Sequence, residues 1–310
     1  MAHGPVLIVG CGYSGRALAR RLSADGHRVT GVVRHPEHGA AVSAVGGMPL
    51  ALDLARQLTA PDGRRRLADL VAEHSAVVYA VGPERVAGSE AFGDHTAAFL
   101  EVLREAAPAP GFVYLSSTGV YGDRDGEWVD EATPMGEDVG PRGRVRQGVE
   151  HALALAHREW GLRVTVLRVA GIYGPGRHVG RRILKGDYRV IEADPPLTVN
   201  RIHVDDLAQV IDRALGLPGG GETYVVADNH PATLREVADY TAGLLKVPPP
   251  PGEPMAAARA RMGEANFHLV ADRKRCRNTK MIENLGVTLA YPTFREGMRQ
   301  ALGVDGLLPL

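Results

Sequence analysis

The stretch Gly4-Pro5-Val6-Leu7-Ile8-Val9-Gly10-Cys11-Gly12-Tyr13-Ser14-Gly15 decides the fold. Val6 to Val9 form an unbroken apolar run, which reads as a strand buried on both faces. A glycine turn follows, and helical spacing begins at Ser14. Gly10 permits the tight turn, and Gly12 removes the Cβ that would block a pyrophosphate. Gly15 lets the helix approach the strand. The helix N-terminus presents free N–H groups and the positive end of its dipole to phosphate. The stretch therefore predicts a dinucleotide site, with Tyr13 and Ser14 on the first helical turn beside the phosphates.

The end of the second strand bears on which dinucleotide. A site for NAD places Asp or Glu about twenty residues past the turn, where it binds the ribose 2′-hydroxyl. Here Val33-Arg34-His35 occupies that point. No carboxylate repels a 2′-phosphate, and Arg34 can pair with one. The expected cofactor is NADP(H) in preference to NAD. Asp53, just past a third short strand at 48–52, has two readings. It accepts from the adenine amino group, or it caps the next turn.

The same alternation continues outward. Apolar runs at 6–9, 29–33, 77–81, 112–116 and 164–168 alternate with helical spacing at 14–24, 64–73, 92–106 and 145–160. These are βαβ units, and they predict an α/β fold, a Rossmann doubly wound parallel sheet. After about residue 170 the texture changes to a glycine-proline loop, short strands and short helices. The expected division is a dinucleotide-binding domain over 1–170 and a smaller C-terminal substrate lobe over 171–310, partly interleaved with the sheet. Thr233 and Glu236 have capping-box spacing and predict a helix over 233–245.

Composition excludes several classes. Lys+Arg and Asp+Glu are both 36, so no basic excess points to nucleic acid or an anionic membrane. The short basic clusters at 64–66 and 273–277 read as solvated faces. Two cysteines, Cys11 and Cys276, make neither a disulfide framework nor a zinc site, and no metal is expected. No apolar run approaches the roughly 18 residues that span a bilayer, and no leader-like pattern opens the chain. The expectation is a cytoplasmic protein with a small-molecule substrate and no nucleic-acid or membrane partner.

Four further motifs carry a family resemblance: LSSTGVYG at 115–122, DGEWVDEATP at 125–134, LRVAGIYGPGR at 167–177 and NRIHVDDLA at 200–208. With the glycine turn, they make the chain resemble the extended or atypical short-chain dehydrogenases/reductases, the NAD-dependent epimerase/dehydratase-like proteins. The resemblance implies catalysis by a Ser or Thr, plus a Tyr and Lys four apart on the helix after the fifth strand. It also implies a homodimer through helices flanking the fourth and fifth strands. Ser117 matches the Ser/Thr position, with Thr118 a close second as a substrate contact. The Tyr and Lys positions fall at Arg142 and Arg146. Arginine stays protonated and cannot serve as a tunable proton donor, but it can hold a hydroxyl, carboxylate or phosphate. Arg146 is thus expected at the cofactor and Arg142 at the substrate.

Another acid/base must then supply a proton. Tyr121 and Tyr173 are the candidates, because a nearby arginine would lower a tyrosine's pKa toward neutrality. Packing with a wet hydroxyl is the alternative for both. Arg177, with His178 and Arg181, reads as a site for an anionic substrate group or as a solvated face. His203 reads as an interior histidine tying the lobe to the sheet. Two functions follow. One is an NADP(H)-dependent oxidoreductase or epimerase on a small polar substrate such as a nucleotide sugar, with a non-standard acid/base. The other is a non-catalytic NADP(H)-binding sensor or regulatory protein.

Overall fold

The computed structural model describes residues 4–308 other than 87 and 90. Seven parallel strands form the central sheet: β1 Val6–Val9, β2 Val29–Val33, β3 Met48–Ala51, β4 Ala76–Tyr79, β5 Gly111–Ser117, β6 Val164–Val169 and β7 Glu222–Val226. Their order is β3-β2-β1-β4-β5-β6-β7, a Rossmann doubly wound sheet. β1, β4 and β6 are buried along their whole length, as expected for strands covered on both faces. β3 is an exposed edge containing Pro49, a position where proline leaves no ladder bond unmade.

Two apolar layers sandwich the sheet. On one face lie α1 (Tyr13–Ala24) and α5 (Val204–Leu215), with Leu18, Leu22, Leu207 and Ile211 in the core. Arg20–Asp205 and Arg21–Asp212 ion pairs, each at 2.8 Å, join these two helices. On the other face lie α2 (Gly63–Ala72), α3 (Thr96–Glu105) and α4 (Pro141–Trp160). The helix expected from residue 92 starts at Thr96, because Phe92–Gly93 pairs antiparallel with Glu84–Arg85. α4 starts earlier than the periodicity suggests. Pro141 sits at its first turn, where its missing N–H costs nothing.

The chain returns to the sheet after residue 170: α5 covers it and β7 extends it. The lobe itself comprises short strand pairs and helices, including α6 (Leu234–Leu245). The Thr233/Glu236 capping box of α6 is fully formed. The basic cluster at 273–277 is only partly a solvated face: Arg275 and Arg277 are exposed, but Lys274 and Cys276 turn inward. Arg275–Cys276 pairs with Trp128–Val129, and Lys274 is buried with its Nζ donating to the Gly122 carbonyl at 3.0 Å. Arg273 pairs with Asp123 at 3.1 Å. Asn200 clasps the same strand through both amide atoms, donating to Lys274 O at 2.9 Å and accepting from Cys276 N at 2.8 Å. Among the described residues, no helix is long and apolar enough to cross a membrane.

Candidate active site at the carboxyl edge of the sheet

The glycine turn has the geometry a pyrophosphate cradle needs. Gly10 has φ +87°, and a Cβ there would meet the Val81 side chain and the Ala80–Val81 backbone at 3.0–3.1 Å. A Cβ on Gly15 would meet Gly10 O at 3.0 Å and Ile8 at 3.1 Å. Gly12 is different. Its Cβ would enter open space, with only Gly10 O at 4.0 Å. Gly12 also stands at the N-cap of α1, which has no side-chain cap and no acid in its first turn. The space and the uncapped amides of residues 13–15 fit a dinucleotide pyrophosphate. Ser14 lies on that first turn. Cys11 is packing, its thiol pushed up to about 11 by burial.

Tyr13 is half-buried and locks the neighbouring loop. Its Oη donates to Pro175 O at 3.0 Å, and Arg177 stacks on its ring at 5.5 Å. Arg177 therefore stays at the crevice rim. His178 and Arg181 are already occupied by the chain's own Asp305, at 2.9 and 3.2 Å, an anion that also takes the Gly176 amide at 3.0 Å. Arg34 is exposed at the end of β2 and ion-pairs with Glu84. Asp53 adopts the capping role: it accepts from Arg56 N at 3.1 Å and starts the helix Leu54–Thr59.

Ser117 ends β5. Its Oγ accepts from Gly119 N at 3.1 Å, so its hydroxyl proton remains available to a ligand. Arg146 reaches the same strand end, donating to Leu115 O and lying 5.8 Å over the Tyr114 ring. It also approaches the Gly82 backbone after β4. Arg142, one turn earlier, stacks on Phe92 at 4.8 Å. Among the described residues neither arginine has a carboxylate partner.

Three expectations need correction. Thr118 is 8% exposed and its hydroxyl bonds the Cys276 thiol, so it faces the interior and not a substrate. Tyr121 is fully buried. Its Oη donates to Asp130 O at 2.8 Å and accepts from Arg168 Nη1 at 2.9 Å. Burial raises its pKa, and the opposing effect of Arg168 is smaller. The expected depression fails because desolvation of the phenolate outweighs one nearby cation. Tyr173 is also buried, edge-on to His203 at 5.3 Å, with its pKa likewise raised by burial. Neither tyrosine has the depressed pKa that the sequence reading expected of it.

His203 is an interior histidine. Its Nδ1 accepts from Asp205 N at 3.2 Å, so Nε2 carries the proton and donates to Gln300 Oε1 at 3.1 Å. Burial lowers its pKa. Asp206 beside it accepts from Ala290 N and Tyr291 N at 2.8 and 3.0 Å.

Sequence reading missed a buried network behind Ser117. Arg168 on β6 meets Glu150 on α4 at 2.9 Å, and Ser116 Oγ donates to the other Glu150 oxygen. The signal was present: a charged residue inside the apolar strand Val164–Val169 requires a partner. Asp228, just past β7, was missed as well. It is 2% exposed, with a pKa pushed up to about 7 by burial.

The family model described as NAD dependent epimerase/dehydratase family matches residues 6–227. Protein YeeZ of Escherichia coli (strain K12) is 32% identical over 236 residues, covering 73% of this chain and 79% of its own. A functionally unknown conserved protein from Silicibacter pomeroyi DSS superposes with a TM-score of 0.78 at 31% identity, covering 97% of this chain and 99% of that one. The human epimerase family protein SDR39U1 (isoform2), solved with NADPH, gives a TM-score of 0.75 at 19% identity, covering 96% and 99%. The UDP-glucose 4-epimerase of Bifidobacterium longum, solved with NAD+ and UDP, gives 0.76 at 18%, covering 96% and 97%. The last two likenesses concern the fold alone.

Proposed function

The chain belongs to the NAD dependent epimerase/dehydratase family, and from that premise we propose that it is an NADP(H)-dependent oxidoreductase or epimerase acting on a small polar substrate such as a nucleotide sugar. One observation carries the reading. The open cradle at Gly12 and the free hydroxyl proton of Ser117 share one sheet edge with two arginines that have no carboxylate partner. Structural neighbours were solved with NADPH and with NAD, so the NADP preference rests on Arg34 alone.

Gly10, Gly12, Gly15 and the first-turn amides of α1 would hold the pyrophosphate, and Arg34 the 2′-phosphate. A bound nicotinamide supplies hydride donation or acceptance at a substrate carbon. Ser117 Oγ–H orients the substrate oxygen. Arg146 and Arg142 offer positive charge to an oxyanion developing there, and they do not lose a proton.

A second reading, a non-catalytic NADP(H)-binding sensor, draws support from the burial of both tyrosines. NADPH oxidation across a panel of carbonyls and nucleotide sugars separates the two. The enzyme reading expects turnover that Ser117→Ala lowers about a hundredfold with unchanged NADPH affinity. Tight NADPH binding with no turnover on any substrate defeats it and leaves the sensor.

A further inference from the structure

The end of β2 carries no acid, yet the fold brings one to it from another strand. β1 lies between β2 and β4 in the sheet, so the chain leaving β2 and the chain leaving β4 flank the glycine turn. Arg34 follows β2 directly, and Glu84 follows β4 after residues 80–83. Their side chains meet in an ion pair, which therefore reaches across the carboxyl end of β1. The approach is close at the backbone too, since a Cβ on Gly10 would lie 3.1 Å from the Ala80 carbonyl carbon and the Val81 nitrogen.

Glu84 is held in place by its surroundings. Glu84 and Arg85 pair antiparallel with Gly93 and Phe92, and Val86 N donates to Ala91 O at 2.9 Å in the same ladder. The Phe92 ring takes Arg85 at 5.8 Å and Arg142 of α4 at 4.8 Å. The ladder is thus clamped to the helix that also carries Arg146. The Arg34 and Glu84 side chains are 45% and 47% exposed, so a ligand entering over the turn can reach both.

Such a pair meets two ligand groups with opposite effect. A ribose 2′-hydroxyl donates to a carboxylate, the contact that an acid at the end of β2 makes with NAD. A 2′-phosphate is repelled by that carboxylate and needs the guanidinium that the carboxylate holds. Because the pair is exposed it is weak, and displacing it lowers affinity for a phosphate by about fivefold at most.

We propose that Glu84 is a specificity-determining residue for the cofactor, supplying from the short strand after β4 the ribose-binding carboxylate that β2 lacks. The site accordingly accepts both NAD(H) and NADP(H). With NAD(H), Glu84 accepts from the 2′-hydroxyl and keeps Arg34. With NADP(H), Arg34 turns to the 2′-phosphate and Glu84 turns to solvent. This rests on the dinucleotide reading of the glycine turn and narrows it: Arg34 favours NADP(H) only by what Glu84 does not cancel.

The test is fluorescence titration of NADPH and NADH into the full chain, Glu84→Gln, Arg34→Ser and the double variant. The unaltered protein should bind both dinucleotides. Glu84→Gln should tighten NADPH about threefold and weaken NADH about fivefold or more. The NADH loss should persist in the Arg34→Ser background, because the carboxylate itself takes the ribose. An NADH affinity that Glu84→Gln leaves unchanged, or changes only while Arg34 is present, makes Glu84 a surface partner of Arg34 and overturns the proposal. So does an unaltered protein that binds NADPH and not NADH. Binding of neither dinucleotide overturns the cofactor reading itself, so the two failures are distinct.

Discussion

Removing the Tyr121 hydroxyl separates scaffold from chemistry. In the structure Tyr121 Oη accepts from Arg168 Nη1 at 2.9 Å and donates to Asp130 O at 2.8 Å, with the Arg168 guanidinium 5.0 Å over its ring. Tyr121→Phe keeps the ring and removes one partner from each neighbour: Arg168 retains Glu150, and Asp130 O still accepts from Thr133 N at 3.2 Å. Loss of two hydrogen bonds whose partners stay otherwise satisfied costs about 1–2 kcal/mol. Arg168→Met goes further, because it leaves Glu150 buried with only the Ser116 hydroxyl. Loss of one partner of a buried ion pair costs about 3–5 kcal/mol. Since the two residues share one network, the double variant should cost less than the sum of the singles. Urea unfolding followed by far-ultraviolet circular dichroism measures all three, and NADPH affinity should stay unchanged. An unaltered unfolding midpoint for Tyr121→Phe, together with lost turnover, would refute the structural assignment.

Three other outcomes are expected. Arg34→Ser should weaken NADPH binding about 10- to 100-fold and leave NADH within about twofold, and Glu84→Gln, which frees Arg34, should strengthen NADPH; fluorescence titration reads both. Asp228 holds its proton in the fold to about pH 7 and loses it near 3.8 when ordinary, so the native state binds more protons between those values. Stability therefore falls as pH rises from about 4 to 7, and Asp228→Asn should flatten that slope by on the order of 4 kcal/mol at most in urea melts across pH. Thr233→Ala breaks the capping box of α6 and should cost about 1 kcal/mol in the same assay.

The parts of this molecule legible from sequence are those governed by local rules. The glycine turn, the alternation of buried strands with amphipathic helices and the Thr233 cap each depend on residues within one or two turns of one another. The α3 boundary was missed because Phe92 pairs with Arg85, a contact that apolar periodicity cannot reveal. Tyr121 and Tyr173 were misjudged for a physical reason. Sequence places a tyrosine near an arginine but does not say how dry the pair is, and dryness sets the sign of the pKa shift. Asp305 is 127 residues from His178, so the anion that occupies His178 and Arg181 could not be inferred from their own neighbourhood.

The central claim is that the glycine turn holds NADP(H), and Gly12 tests it most directly. A Cβ there enters open space in the fold and meets nothing closer than Gly10 O at 4.0 Å, yet it occupies the volume assigned to the pyrophosphate. Fluorescence titration of NADPH into the unaltered protein and Gly12→Ala should show saturable binding that the substitution weakens at least about tenfold, while the melting temperature without ligand barely moves. Equal NADPH affinity in the two proteins, or no binding in either, would contradict the account.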